Sequence, residues 1–163
     1  MASVQAQPRE AKPIHASRLP PSKEIQALYE REIRKTLGSL YLSLERQFQL
    51  HQERLAELSR LSPDWDSYGA EPPSHVAIAA SRRILGALRR RAMLPTRILA
   101  SAEGGVGICF VEGDRYAHIE CLNSGDISAV MYQARGDPTV WEIPDDEQSL
   151  SKSLEDIRAH FES

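Results

Sequence analysis

The chain has 163 residues, a formal net charge of −3 at pH 7, 41% hydrophobic residues and 26% charged residues. This composition predicts a globular protein with its own core rather than a disordered chain. The net charge gives no bulk attraction to nucleic acid or to anionic membranes, and two cysteines are too few for a disulfide framework. The N-terminal residues hold no apolar run of signal-peptide or membrane-spanning length, so we expect a cytoplasmic protein without a membrane partner.

Residues 1–21 are polar and contain four prolines without hydrophobic periodicity. Such a composition predicts a flexible tail. Ser22 follows two of these prolines, and a serine in that position is suited to cap the start of a helix.

Residues 22–61 are predicted to form one long amphipathic helix that acts as an association element. Its apolar residues advance in steps of three and four and include Ile33, Leu37, Leu40, Leu44, Phe48, Leu55 and Leu58. More apolar residues lie off this stripe, so the helix either packs wholly on its own domain or binds a partner. In the second case it binds another protein or a second copy of the chain through Leu37, Leu40, Leu44, Phe48 and Leu55. Gly38 is a natural place for a kink or break, because glycine costs about 1 kcal/mol inside a helix.

The segment LSPDWDSYGAEPPS, residues 61–74, leads from this helix into a compact domain predicted at residues 62–163. Pro63 blocks continuation of the helix, and Gly69 permits a positive φ angle. These local roles favour a structural corner. The alternative is a groove for a ligand or a partner protein around Trp65, Asp66 and Tyr68.

A second helix is predicted from a cap at Ser74 to about Arg90. Its arginines gather on the side opposite its apolar residues, which favours a solvated face. The alternative is a nucleic-acid-associated protein whose phosphate contacts come from Arg82, Arg83, Arg89, Arg90, Arg91 and Arg97. No aromatic residue is interleaved with these arginines for base stacking, so nucleic acid is not the favoured partner.

From Pro95 the hydrophobic period changes from 3.6 to 2, which predicts an antiparallel meander of about three to five strands. Gly113-Asp114 suits a two-residue hairpin turn. The resulting register places a core face on Val106, Ile108, Phe110, Ala117, Ile119 and Cys121. The last segment predicts an amphipathic helix that covers one face of the sheet. The fold class is therefore α+β, with a long N-terminal helix, a second helix, the meander and a C-terminal helix packed on one sheet face.

The other face of the predicted hairpin places Cys109 opposite His118, with Glu120 two residues further along. A cysteine, a histidine and a carboxylate outline a thiol nucleophile with its base, which makes a thiol-dependent enzyme a second alternative. Nucleophilic cysteines more often lie at helix N-termini than in mid-strand, so we favour a polar face on which Tyr116 and His118 meet a partner. The segment EGGVG has the glycines of a phosphate loop but not the residues with which such a loop ends. No spacing typical of metal ligands is present. We therefore expect no cofactor, no metal and no catalytic residue.

The stretch LSPDWDSYGAEPPSHVAIAASRRIL, followed by PTRILASAEGGVGICFVEGDRYAHIE, resembles small uncharacterised bacterial proteins. In that pattern a W-D-x-Y-G-A-x-P segment precedes a helix and a Gly-Gly strand with its hairpin. The resemblance covers roughly residues 58–121 and implies a bacterial or mobile-element setting; no catalytic residue comes with it. We therefore expect a non-catalytic protein-interaction module, in the form of an accessory or antitoxin-like subunit of a bacterial defence or mobile-element system.

Overall fold

The computed structural model describes residues 23–134 and 136–162. Within them the chain forms three helices and one five-stranded antiparallel sheet, in the order α, α, five strands, α. This arrangement confirms the α+β prediction, including the long first helix and the C-terminal helix. The predicted flexible tail at residues 1–21 and the predicted cap at Ser22 lie outside the described residues.

The three helices begin and end close to the residues that the sequence indicates. Their bounds are α1, Lys23–Leu58; α2, His75–Arg90; and α3, Glu147–Glu162. The Ser74 side chain accepts a hydrogen bond from the amide of Ala77 and so caps α2, as predicted.

The sheet is a simple meander in which each strand pairs with the next along the chain. The strands are β1, Arg97–Ser101; β2, Gly105–Glu112; β3, Arg115–Leu122; β4, Ile127–Gln133; and β5, Thr139–Glu142. Gly113 adopts φ 58° at the β2–β3 turn, and Glu112 pairs with Arg115 there. The predicted hairpin register is therefore confirmed, including the pairing of Cys109 with His118.

The core lies between one face of the sheet and the helices. On β2 and β3 its members are the six residues that the register assigned to this face: Val106, Ile108, Phe110, Ala117, Ile119 and Cys121. The helices contribute Phe48, Leu55 and Leu58 from α1, Ile84, Leu85 and Leu88 from α2, and Leu150, Leu154 and Ile157 from α3. All three helices thus supply apolar side chains to one common core.

The chain divides into two units after Gly38, and α1 contributes to both. The second unit, Ser39–Ser163, starts well before residue 62, because Phe48, Leu55 and Leu58 belong to its core. The helix does not break at Gly38: its helical backbone is continuous from Lys23 to Leu58. The penalty for one glycine is small compared with the hydrogen bonds of a 36-residue helix, so the helix can continue through Gly38, and a kink at this residue stays a prediction.

Candidate interaction surfaces

Large apolar side chains are exposed on the N-terminal part of α1. In the first unit they are Ile25, Leu28, Tyr29, Ile33 and Leu37, and in the second unit Leu40, Tyr41 and Leu42 continue the series; their exposed fractions lie between 46% and 69%. Large apolar side chains that are exposed close together usually mark an interaction site. We call the residues of the first unit with four-residue spacing, Ile25, Tyr29, Ile33 and Leu37, the α1 ridge.

The structure separates the predicted partner-binding residues of α1 into two groups. Leu37 and Leu40 are exposed, whereas Phe48 and Leu55 are buried in the core of the second unit, and Leu44 packs against that core. Because a buried side chain has no surface to offer, the predicted partner-binding residues of α1 that stay exposed are Leu37 and Leu40.

The segment at residues 61–74 is a corner held together by its two aspartates. Asp66 accepts hydrogen bonds from the amides of Tyr68 and Ala70 at 2.9 and 3.0 Å, and Asp64 accepts one from Gly69 at 2.7 Å. The two backbone hydrogen bonds to Asp66 lower the pKa of its carboxyl group, since they stabilise the ionised form. The two aspartates therefore stabilise the corner by hydrogen bonds to nearby backbone amides, as aspartate does in an Asx turn.

The two aromatic residues of this corner have different environments. Trp65 is half-buried against the core, and its indole N–H donates to the carbonyl of Glu71 at 3.4 Å. Tyr68 is 93% exposed at the tip of the corner. The carboxylate of Asp66 is hydrogen-bonded to the local backbone, so of the three predicted residues only Tyr68 exposes nearly its whole side chain to solvent.

Asn123 ties this corner to the sheet. Its side-chain oxygen accepts a hydrogen bond from the amide of Ser74 at 2.6 Å, and its side-chain nitrogen donates to the carbonyl of Pro72 at 3.0 Å. The same asparagine packs closely against Gly104, where a Cβ atom would lie 2.9 Å from its side-chain nitrogen. Nothing in the local sequence identified this residue, because its partners lie about fifty positions earlier in the chain.

On the face of the sheet opposite the core, Tyr116 covers Cys109. The Cys109 side chain is buried, and the Tyr116 hydroxyl donates to its sulfur at 3.8 Å. Burial, together with this hydrogen bond, raises the pKa of Tyr116 to about 12. The Tyr116 ring also contacts Tyr132 of β4, with 4.9 Å between the ring centroids. This face is thus less solvated around Cys109 than the alternation of residues suggests.

His118 lies on the same face as Cys109, but its ring nitrogen Nε2 is buried and has no hydrogen-bond partner. Burial lowers the pKa of His118; the nearby Glu120 opposes this effect and Arg97 adds to it. The Glu120 carboxylate is itself bonded to the hydroxyl of Ser101. Tyr116 covers Cys109, and the Glu120 carboxylate is bonded to Ser101. The cysteine, the histidine and the carboxylate therefore do not form the chain of hydrogen bonds that activates a thiol.

The six arginines of the predicted nucleic-acid patch have separate roles. Arg83 pairs with Asp145, Arg89 pairs with Glu45, and Arg91 donates to the hydroxyl of Ser151 at 2.6 Å. The remaining three, Arg82, Arg90 and Arg97, are exposed. Carboxylates therefore neutralise two of the six charges, and the arginines do not form one uninterrupted basic surface.

The sequence analysis missed a groove of about 620 Å³ beside the C-terminal end of α3. Its floor includes Phe110, Val111 and Phe161, and Arg158 at its edge donates to the carbonyl of Arg91. Three segments that are distant in the sequence line this groove, so no local pattern predicts it.

The described parts of the chain contain no group of three or more His, Cys, Asp or Glu side chains placed to hold a metal ion. No helix in residues 23–134 or 136–162 combines the length and apolar character needed to cross a membrane. Comparisons with protein-family models, curated proteins and solved structures found no match to this chain.

Proposed function

We propose that this chain is a non-catalytic protein-interaction module that docks through the α1 ridge. The observation that carries the proposal is the exposure of these side chains on a helix that buries Phe48, Leu55 and Leu58 further along. Leaving so much apolar surface in water is unfavourable, at about 25 cal/mol per Å², and association removes that surface from water. Tyr68, fixed at the tip of the corner, offers a second contact point.

The setting that we propose is an accessory or antitoxin-like subunit of a bacterial defence or mobile-element system in the cytoplasm. Its support is the W-D-x-Y-G-A-x-P segment and the strand and hairpin that follow it, together with the interaction surface on α1. Asp66 and Asn123 accept hydrogen bonds from backbone amides of the corner, so these polar groups stabilise the fold. This structural use of the polar groups is consistent with a non-catalytic subunit.

The test is affinity capture of the tagged full-length protein from cells that encode it. Leu37→Glu places a charge on the α1 ridge, and Leu42→Glu is the matched control because Leu42 is also exposed but does not belong to this ridge. We expect the wild type and Leu42→Glu to capture another protein in stoichiometric amount, and Leu37→Glu to capture none. An untagged copy of the chain counts as such a captured protein. Equal recovery from all three proteins, or no partner in any of them, would contradict the proposal.

Binding to nucleic acid is the competing outcome, and the same proteins test it. Phosphate contacts weaken steeply as salt increases, whereas apolar docking does not. We expect no salt-dependent mobility shift with duplex DNA or RNA. A shift that is lost in an Arg82→Glu/Arg90→Glu variant but retained in Leu37→Glu would favour the nucleic-acid alternative.

A further inference from the structure

The sheet has an open edge at β5. Within the described part of the chain, β5 pairs with β4 on one side and with no strand on the other. Because the amide of Ile143 donates to the carbonyl of Ile127, the hydrogen-bonding groups of Trp141, two residues earlier, also face β4. The alternate residues Val140 and Glu142 therefore direct their backbone N–H and C=O groups away from the sheet.

Two prolines limit the length of this edge. Pro138 directly precedes β5, and Pro144 lies two residues after its end. Proline has no backbone N–H, and both prolines occupy the same alternate positions as Val140 and Glu142. The edge therefore offers the N–H groups of Val140 and Glu142, which suffice for a short added segment but not for a long strand.

A groove of about 370 Å³ lies between β5 and α3. Met131, Trp141 and Pro144 give it an apolar lining, and α3 supplies polar residues that include Ser153. The indole N–H of Trp141 donates to the hydroxyl of Ser153 at 3.0 Å, which holds the ring between strand and helix. Alternate side chains of a segment added to β5 point to this side of the sheet, so they can enter the groove.

The surroundings of the edge are strongly acidic. Residues 137–156 contain one lysine and seven exposed acidic residues: Asp137, Glu142, Asp145, Asp146, Glu147, Glu155 and Asp156. Arg83 pairs with Asp145, and Lys152 pairs with Asp156 at 3.4 Å. The other five acidic residues have no ion pair among the described residues. The edge is therefore complementary in charge to basic side chains.

We propose that β5 and the adjacent groove bind an extended segment of another protein in which basic and apolar residues alternate. The segment adds to the sheet as a further strand, and its backbone pairs with Val140 and Glu142. Its apolar side chains enter the groove beside Trp141, and its basic side chains lie on the other face of the sheet near Glu142. A second copy of β5 is a poorer occupant, because it would bring the same acidic residues together. Other residues form the α1 ridge, so the two proposals can fail independently.

Fluorescence polarisation with the purified full-length protein tests the strand pairing. The probe is a labelled peptide of alternating lysine and valine, about eight residues long, which is an ordinary strand length. Two further peptides carry N-methyl groups, one on its lysines and the other on its valines, so each keeps its charge but lacks the N–H groups of one strand edge. We expect the unmodified peptide to bind, and one methylated peptide to bind about tenfold more weakly than the other. Equal affinities of the two methylated peptides, or no binding of the unmodified one, would overturn the proposal.

Substitutions in the protein separate edge pairing from a general attraction between charges. Val140→Pro removes an N–H that takes no part in pairing with β4, and Glu142→Lys reverses a charge at the edge. We expect each to weaken binding of the unmodified peptide by about tenfold. Glu103→Lys is the matched control for charge, because Glu103 is exposed in the turn between β1 and β2, at the far edge of the sheet, and its affinity should stay close to that of the wild type.

The charge variants also define the contradicting result. An equal loss of affinity in Glu142→Lys and Glu103→Lys would mean that net charge alone attracts the peptide, and the proposal would be wrong. Circular dichroism verifies that each variant folds. If Val140→Pro does not fold, Glu142→Lys and the methylated peptides still decide the question.

Discussion

The imidazole ring of His118 rests directly over Gly107 on the neighbouring strand, where a Cβ atom would lie 2.5 Å from Nε2 of the histidine. The strand register brings the two together, since Gly107 pairs with Glu120 and the next residue of β3 on this face is His118. A glycine is therefore required here for close approach and not for an unusual backbone angle.

Adding a methyl group at Gly107 tests this packing. We expect Gly107→Ala to lower the free energy of unfolding by about 1–3 kcal/mol, because the ring must leave its position. In the Gly107→Ala/His118→Ala double variant the clash is absent, so the effects of the two substitutions should not add. Denaturant unfolding of the four proteins measures the coupling, and strictly additive effects would show that the ring moves aside freely.

The lowered pKa of His118 predicts a loss of stability in mild acid. An unfolded histidine titrates near 6.5, and the folded protein holds this one at a lower pKa, so below about pH 6.5 the unfolded chain binds the proton that the folded chain resists. The free energy of unfolding should therefore fall as the pH decreases from about 7 to 5.

The variant His118→Gln isolates this effect. It should flatten the dependence of the unfolding free energy on pH, whereas His75→Gln, at an exposed position, should leave that dependence unchanged. If the unfolding free energy depends on pH equally in both variants, a residue other than His118 takes up the proton.

The hydrogen bonds of Asn123 predict that the corner depends on a residue of the turn between β3 and β4. Asn123→Ala leaves the Ser74 amide and the Pro72 carbonyl without their partner, so we expect the free energy of unfolding to fall by about 1–3 kcal/mol. Gln49→Ala is the comparison, because it removes an exposed amide that bonds only to Glu53 in the same helix, and a change within about 0.5 kcal/mol is expected. Equal effects in chemical denaturation would mean that the corner holds without Asn123.

Unlike the substitutions above, a substitution at Gly38 is expected to increase stability. Apart from its chain neighbours and the backbone of its own helix, nothing lies within 4 Å of the place where its Cβ would be, and its backbone is helical. Gly38→Ala should therefore stabilise the surrounding helix by roughly 1 kcal/mol and increase the helical signal in circular dichroism. A decrease in helicity would mean that the chain uses a bend at this position.

Local chemistry in the sequence accounts for most of the fold. The alternation of residues around Gly113-Asp114 determines both the hairpin register and the core face, because a side-chain period of two permits only one assignment. Ser74 after two prolines identifies the start of α2 in the same way. Such features depend on neighbours within a few positions, so one sequence is enough to predict them.

Tertiary structure alone decided which surfaces remain available. Leu37 and Leu55 belong to the same periodic pattern in one helix, yet Leu37 is exposed and Leu55 is fully buried, since Leu55 is a member of the core of the second unit. Likewise, Arg89 is paired because Glu45 lies beside it, although 44 positions separate the two residues. The periodicity of the sequence indicates whether a side chain suits an apolar or a charged environment. Which residue lies beside it depends on how distant segments of the chain pack together.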